Sequence, residues 1–139
     1  MWWAWIILGC GASGGGEAEE PAEPLAAAVY SEGMWGERVL TVAAGLDEAL
    51  GKLDAGQPLE AAEYCDAVYR HSFEPELEPL VRARIGRSDA ARTEYGFGLV
   101  RSALAEGDGR GARAQRDALI EALMSQAAVL DEAQAVLAD

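Results

Sequence analysis

The densest set of reactive side chains in this 139-residue chain is Tyr64-Cys65-Asp66-Ala67-Val68-Tyr69-Arg70-His71-Ser72-Phe73-Glu74-Pro75-Glu76-Leu77-Glu78-Pro79. It holds three carboxylates within five residues (Glu74, Glu76 and Glu78), the only histidine, two tyrosines and one of the two cysteines. Carboxylate oxygen, imidazole nitrogen and phenolate oxygen are ligands that hard or borderline cations such as iron and manganese accept. Carboxylates are ordinarily ionised at neutral pH and need no activation for this, so the chemistry open to the stretch is capture of a cation. If the chain re-enters a helix after Ser72 with Pro75 in its first turn, Glu74 and Glu78 lie one turn apart on the same face. Acids at the start of a helix are also favourable through the helix dipole alone, and at the level of sequence both readings stand.

Other chemistries lack their parts. A serine triad would have to use His71, and no nucleophile-elbow motif is present. A ferritin-like di-iron centre needs Glu-x-x-His on two helices, and the chain has one histidine. The glycines from Gly107 to Gly111 follow no strand and precede no Gly-Lys-Ser/Thr, so they read as a connector and not as a phosphate cradle. Cys65 falls within a helical pattern and reads as a small buried hydrophobe, with a metal or redox role as the alternative. No catalytic residue is assigned, and the chain is expected not to be an enzyme.

The charge balance narrows the partners. Twenty-four acidic side chains oppose 11 basic ones, for a formal net charge of −13. A surface this acidic repels phosphate backbones, which argues against nucleic-acid partners and polybasic membrane attachment and leaves cations open. The excess is local. Residues 10–80 carry 15 acidic and 3 basic side chains, whereas residues 81–139 carry 9 and 8. A solvated acidic face explains such a run; a cation-attracting face is the sharper reading.

Four amphipathic segments must position these groups. The first, about Glu37 to Leu53, places Val39, Leu40, Val42, Ala43, Leu46, Leu50 and Leu53 at helical spacing before Gly56. The second follows Pro58 with Leu59, Ala62, Cys65, Val68, Tyr69 and Phe73, and Pro75 marks its end. The third, after Gly86-Arg87-Ser88-Asp89, carries Ala90, Tyr95, Leu99, Val100 and Leu104, interrupted by Gly96 and Gly98. Those glycines cost about 1 kcal/mol each in a helix interior unless they allow close packing. The fourth repeats Leu119, Leu123, Ala127, Leu130, Ala133 and Leu137. Half the residues are hydrophobic but only 7% aromatic, and alanine supplies much of the apolar total, as in helices packed through small side chains. Short connectors imply antiparallel neighbours, so the expected fold is all-α, an up-and-down four-helix bundle. A short piece, Leu25 to Tyr30 with Met34 and Trp35, is expected to pack across one end.

The N-terminus reads differently. Met1-Trp2-Trp3-Ala4-Trp5-Ile6-Ile7-Leu8-Gly9 is apolar and uncharged in its side chains, and it stops at Cys10. It falls well short of the roughly 20 apolar residues that a membrane-spanning helix needs. A flexible Gly/Ser stretch and an acidic Pro-rich one follow, to Pro24. Together the apolar run, Ile7-Leu8-Gly9-Cys10 and the tether resemble a bacterial lipoprotein signal with its lipobox, although the run lacks the Lys or Arg of a usual signal n-region. The resemblance implies cleavage before Cys10, lipidation of Cys10, and attachment to the membrane through that lipid. Residues 1–9 are then the signal peptide, 10–24 the lipidated tether and 25–139 the helical domain. Gly11 after the cysteine implies the outer membrane, facing the periplasm.

From Ala67 to Arg84 the chain resembles the segment Ala-Tyr-x-x-x-Phe-Glu-Pro-x-Glu-Pro-x-Leu in the extracytoplasmic helical domain of bacterial Ftr-type iron permeases. Tyr69, Phe73-Glu74-Pro75 and Glu78-Pro79 carry it, and Glu94, Phe97, Leu99 and Arg101 fall about where that domain has its next Glu, Phe and Leu-Arg pair. One extra residue between the two Glu-Pro pairs turns Glu78 by about 100° around a helix relative to the family's spacing. The permease's Arg-Glu-x-x-Glu motifs are lacking. The resemblance implies a cation-binding domain with iron as the cofactor. Its ligands would be Glu74, Glu78 and Glu94, helped by Tyr69 and His71, and its partner an iron permease or another envelope protein. The other reading is an envelope interaction protein that holds no metal.

Overall fold

The computed structural model describes residues 33–138, and its regular structure is entirely helical. Five helices follow one another: α1 Met34–Asp54, α2 Pro58–Val68, α3 Leu77–Arg84, α4 Arg87–Ala105 and α5 Gly109–Ala138. A π-helical turn, Tyr69–Phe73, prolongs α2. Helices α1, α2 with its π turn, α4 and α5 coincide with the four amphipathic segments. Helix α3 is an addition: eight residues between Glu76 and Ile85 form their own helix, with Pro79 in the first turn, where its missing N–H costs nothing.

Local chemistry sets the boundaries. Gly56 and Gly107 take the left-handed conformation (φ 79° and 73°) that stops α1 and α4. Around each, paired backbone bonds close the helix end: Gln57 N–H to Lys52 O (3.0 Å) with Gly56 N–H to Leu53 O (2.9 Å), and Asp108 N–H to Ala103 O (2.9 Å) with Gly107 N–H to Leu104 O (3.0 Å). Asp108 then caps α5, its Oδ1 accepting from Gly111 N–H at 2.8 Å. The glycine-rich connector therefore narrows to a short turn, and Gly109 to Gly111 already belong to the helix.

Helix α1 starts without a cap of its own, because Gly33 offers no side chain. The carboxylate of Asp131 in α5 supplies it, accepting from Trp35 N–H (3.1 Å) and Gly36 N–H (3.2 Å). A Cβ on Gly33 would sit 2.2 Å from that carboxyl carbon, so only glycine allows the approach. The Trp35 indole N–H donates to Gln134 Oε1 at 3.0 Å.

Helix α1 packs on α2 and α5, and α4 packs on the same two. Helix α3 touches α4, α5 and the π turn. The core is built from Val39, Val42 and Leu46 of α1, Cys65 and Val68 of α2, and Phe73, Leu77 and Val81 beyond it. Phe97, Val100 and Leu104 of α4 and Leu119, Leu123 and Leu130 of α5 complete it. Two of the glycines permit close approach. A Cβ on Gly45 would lie 2.6 Å from a methyl of Val68, and one on Gly96 would lie 3.0 Å from a methyl of Leu119. Gly98 has no neighbour within 4 Å of such an atom and serves no close helix contact.

Four residues assigned to the apolar faces by periodicity are exposed: Leu40, Leu59, Tyr95 and Leu137. Each lies at the margin of its face or beyond the reach of a neighbouring helix. No described helix is long and apolar enough to cross a membrane. The expected signal and tether, residues 1–24, and the stretch Leu25 to Tyr30 lie outside the described residues, as does Cys10.

Candidate functional site

The π turn is the local feature that builds the site. Glu74 N–H bonds Tyr69 O at 2.9 Å across five residues, one more than in an α-helix, and the widened turn rotates the side chains that follow. Phe73 points inward and is fully buried. Its ring lies 5.7 Å from Tyr69 and 5.3 Å from Phe97, while Tyr69 meets Phe97 edge-on at 5.2 Å. These spacings are typical of favourable aromatic pairs. The phenol of Tyr69 thus stands on an apolar base with its hydroxyl directed outward.

That hydroxyl donates to Glu78 Oε2 at 3.1 Å. Burial first, then this bond, and then the negative charges of Glu78, Glu94 and Glu74 push the phenol up to about 12. Removing its proton would place an anion among three others. The charges of Glu74, Glu78 and Glu94 thus reach the Tyr69 phenol at the corner where the π turn, α3 and α4 meet, and of the three Glu78 is the one hydrogen-bonded to it. His71 is exposed on the π turn, and among the described residues no hydrogen bond or ion pair joins it to this group. Helix α3 begins at Leu77, so Glu74 falls in the preceding turn and shares no helical face with Glu78. Glu78 is the first-turn acid of α3.

Arginines answer several of the acids. Arg82, one turn along α3, pairs with Glu78 Oε1. Arg38 of α1 pairs with Glu76 at 2.6 Å, and Arg101 of α4 reaches Asp66 at 3.2 Å. Among the described residues no three His, Cys, Asp or Glu side chains are arranged to hold a metal ion. Beside the corner a surface groove of about 420 Å³ runs between α2 and α4, lined by Asp66, Tyr69, Glu94, Phe97, Gly98 and Arg101. Cys65 lies beneath it, its Sγ 3.9 Å from Phe97 O, and burial pushes its thiol up to about 12. A thiol held in its neutral form is a poor nucleophile and a poor metal ligand.

Of these arginines the sequence points only to Arg101, through the resemblance, and to none as a counter-ion. The Glu78–Arg82 pair was available from its four-residue spacing, whereas Arg38 and Arg101 come from other helices and have no local signal. No family model matches this chain, and no curated protein or solved structure matches it.

Proposed function

We propose that this chain is a lipid-anchored protein of the cell envelope, held at the outer membrane through Cys10 and facing the periplasm. Its helical domain would bind a cation, iron in the first place, in the service of an iron-uptake system. The architecture we infer is an up-and-down four-helix bundle of α1, α2, α4 and α5 with α3 as a cross-piece. Antiparallel ties support it: Glu48 with Tyr64, Asp54 with Arg113, Trp35 with Gln134, and Thr93 with Gln126.

The observation that carries the cation reading is that Glu78 accepts from the Tyr69 hydroxyl while the negative charges of Glu78, Glu94 and Glu74 all bear on that phenol. These are the acids that the iron-permease resemblance singles out. A cation entering there would take over the place of the Arg82 guanidinium on Glu78. The role is capture without chemistry, since the thiol of Cys65 is buried and protonated and, among the described residues, no hydrogen bond or ion pair orients His71 as a base. Calorimetric titration of the chain with ferrous, ferric and manganese ions tests it. Saturable binding that disappears in Glu74→Ala/Glu78→Ala supports the reading; no saturable binding, or binding indifferent to that change, removes it.

A second reading, an envelope interaction protein without metal, is favoured by the pairing of Glu78 with Arg82 and Glu76 with Arg38, and by the lack of a three-ligand group among the described residues. Under it the acidic half keeps the tethered domain dispersed. The anchor has its own test: mass spectrometry of the native protein should find a diacylglyceryl adduct on Cys10, and retention of Met1 to Gly9 would refute it.

A further inference from the structure

Two glycines interrupt α4, and the fold accounts for one of them. Gly96 lets Leu119 of α5 approach, whereas a Cβ on Gly98 would stand in open space. Glycine weakens a helix interior relative to alanine, and among the described residues no neighbour requires it here. Gly98 instead lines the groove of about 420 Å³ between α2 and α4. A glycine in that setting leaves the helix backbone open to close approach by a ligand.

The lining narrows what that ligand is. Ala91, Glu94, Gly98 and Arg101 recur at helical spacing along the α4 wall, with Tyr95 beside Glu94, and Asp66 and Tyr69 stand on the other wall. Two acids and one base are present. Asp66 and Arg101 answer each other at 3.2 Å. Among the described residues no hydrogen bond or ion pair answers Glu94, and Tyr95 next to it is 66% exposed. A carboxylate beside aromatic rings suits a cation with an apolar body, since the acid pairs with the charge and the rings attract it through their faces. No three metal-ligating side chains come together among the described residues, so the groove offers charge and rings and not a coordination shell.

We infer that the groove between α2 and α4 binds a small organic monocation, an amine with an aromatic or apolar body, with its ammonium on Glu94 and its body over Gly98 against Tyr69 and Tyr95. The net charge of −13 draws such a ligand and repels its anionic analogue. The site is independent of the iron reading: Glu74 and Glu78 do not line the groove, and Glu94 alone is common to both.

An NMR titration of the full chain at low salt, with EDTA present to exclude metals and 2-phenylethylamine as the probe, tests the site. Saturable amide shifts confined to residues 65–69 and 91–101 are expected, and 3-phenylpropionate, a similar body with a negative charge, should give none. Glu94→Gln, at an exposed position, should weaken binding severalfold. Gly98→Ala should raise the thermal midpoint by several degrees and weaken the probe, two opposite movements that a purely structural glycine would not show. The absence of saturable shifts, equal shifts with 3-phenylpropionate, or binding unchanged in Glu94→Gln would overturn the site. A chain that binds iron but not the amine overturns it and leaves the Tyr69 corner standing; one that binds the amine but no metal does the reverse.

Discussion

Two groups of acids sit at the same end of the fold and are held in opposite ways. Asp131 gives its carboxylate to Trp35 N–H and Gly36 N–H, donors that cannot leave without unwinding the first turn of α1. Glu78 and Glu76 are met by Arg82 and Arg38, guanidinium groups on flexible stems, each about half exposed. A backbone donor makes a fixed joint, whereas a half-exposed arginine is an exchangeable counter-ion. The same residue chemistry thus yields a structural tie on the α1/α5 side and a surface open to exchange on the α2/α3/α4 side.

If the exchangeable corner rests on a rigid base, the base should dominate the energetics. Phe73 is fully buried between Tyr69 and Phe97, and Phe73→Ala should cost about 3–5 kcal/mol in urea unfolding. A loss below about 1 kcal/mol would mean that the corner collapses freely, and the contrast with the Asp131 tie would fail. On the other side, Asp131→Ala should cost about 1–2 kcal/mol, the value of a helix cap whose donors are left unpaired. The loss should be partly restored by Asp131→Asn, which keeps an acceptor oxygen.

The phenol gives a third handle, in its pH dependence. Tyr69 is pushed up to about 12 from an ordinary value of 10.0, so the folded state keeps its proton where the unfolded state loses it. Its contribution to stability is complete below pH 10 and is lost as pH rises toward 12. Unfolding free energies measured from pH 9 to 12 should fall more steeply for the parent chain than for Tyr69→Phe. Parallel curves would show that neither burial nor the neighbouring carboxylates raise the phenol in the folded state.

Much of the helical layout was legible because it is local. Apolar residues three and four apart mark α1, α2, α4 and α5, and Pro58 and Gly107 sit at their boundaries. Helix α3 was less so: eight residues bracketed by Pro75 and Gly86 are too few for periodicity to separate a helix from a turn. Periodicity names a face but not its neighbour, which is why Leu59 and Leu137 read as core and are exposed. At the site, the cluster from Tyr69 to Glu78 was visible by composition, and Glu94 was joined to it only through a resemblance. The counter-ions split the same way. Glu78–Arg82 is one helical turn, while Arg101–Asp66 and Trp35–Asp131 join residues 35 and 96 apart and leave no trace in local sequence.

The smallest effect on stability carries the sharpest test of exchangeability. Arg82 is half exposed but Glu78 is only 13% exposed; because the amide of Gln can still donate to that carboxylate, Arg82→Gln should cost no more than about 1 kcal/mol. Its effect on binding should be larger. Under the cation reading, a cation entering the parent chain must displace the guanidinium from Glu78; in Arg82→Gln that competitor is gone, and one positive charge has left the corner. Affinity for ferrous or manganese ion, measured by calorimetry at low salt, should rise severalfold, and the gain should shrink as added salt screens the difference. If affinity is unchanged while Glu78→Ala abolishes binding, Arg82 does not compete and its pairing is as fixed as that of Asp131. If neither change alters the heat, the corner holds no cation, and its arginines belong to the interaction surface of the second reading.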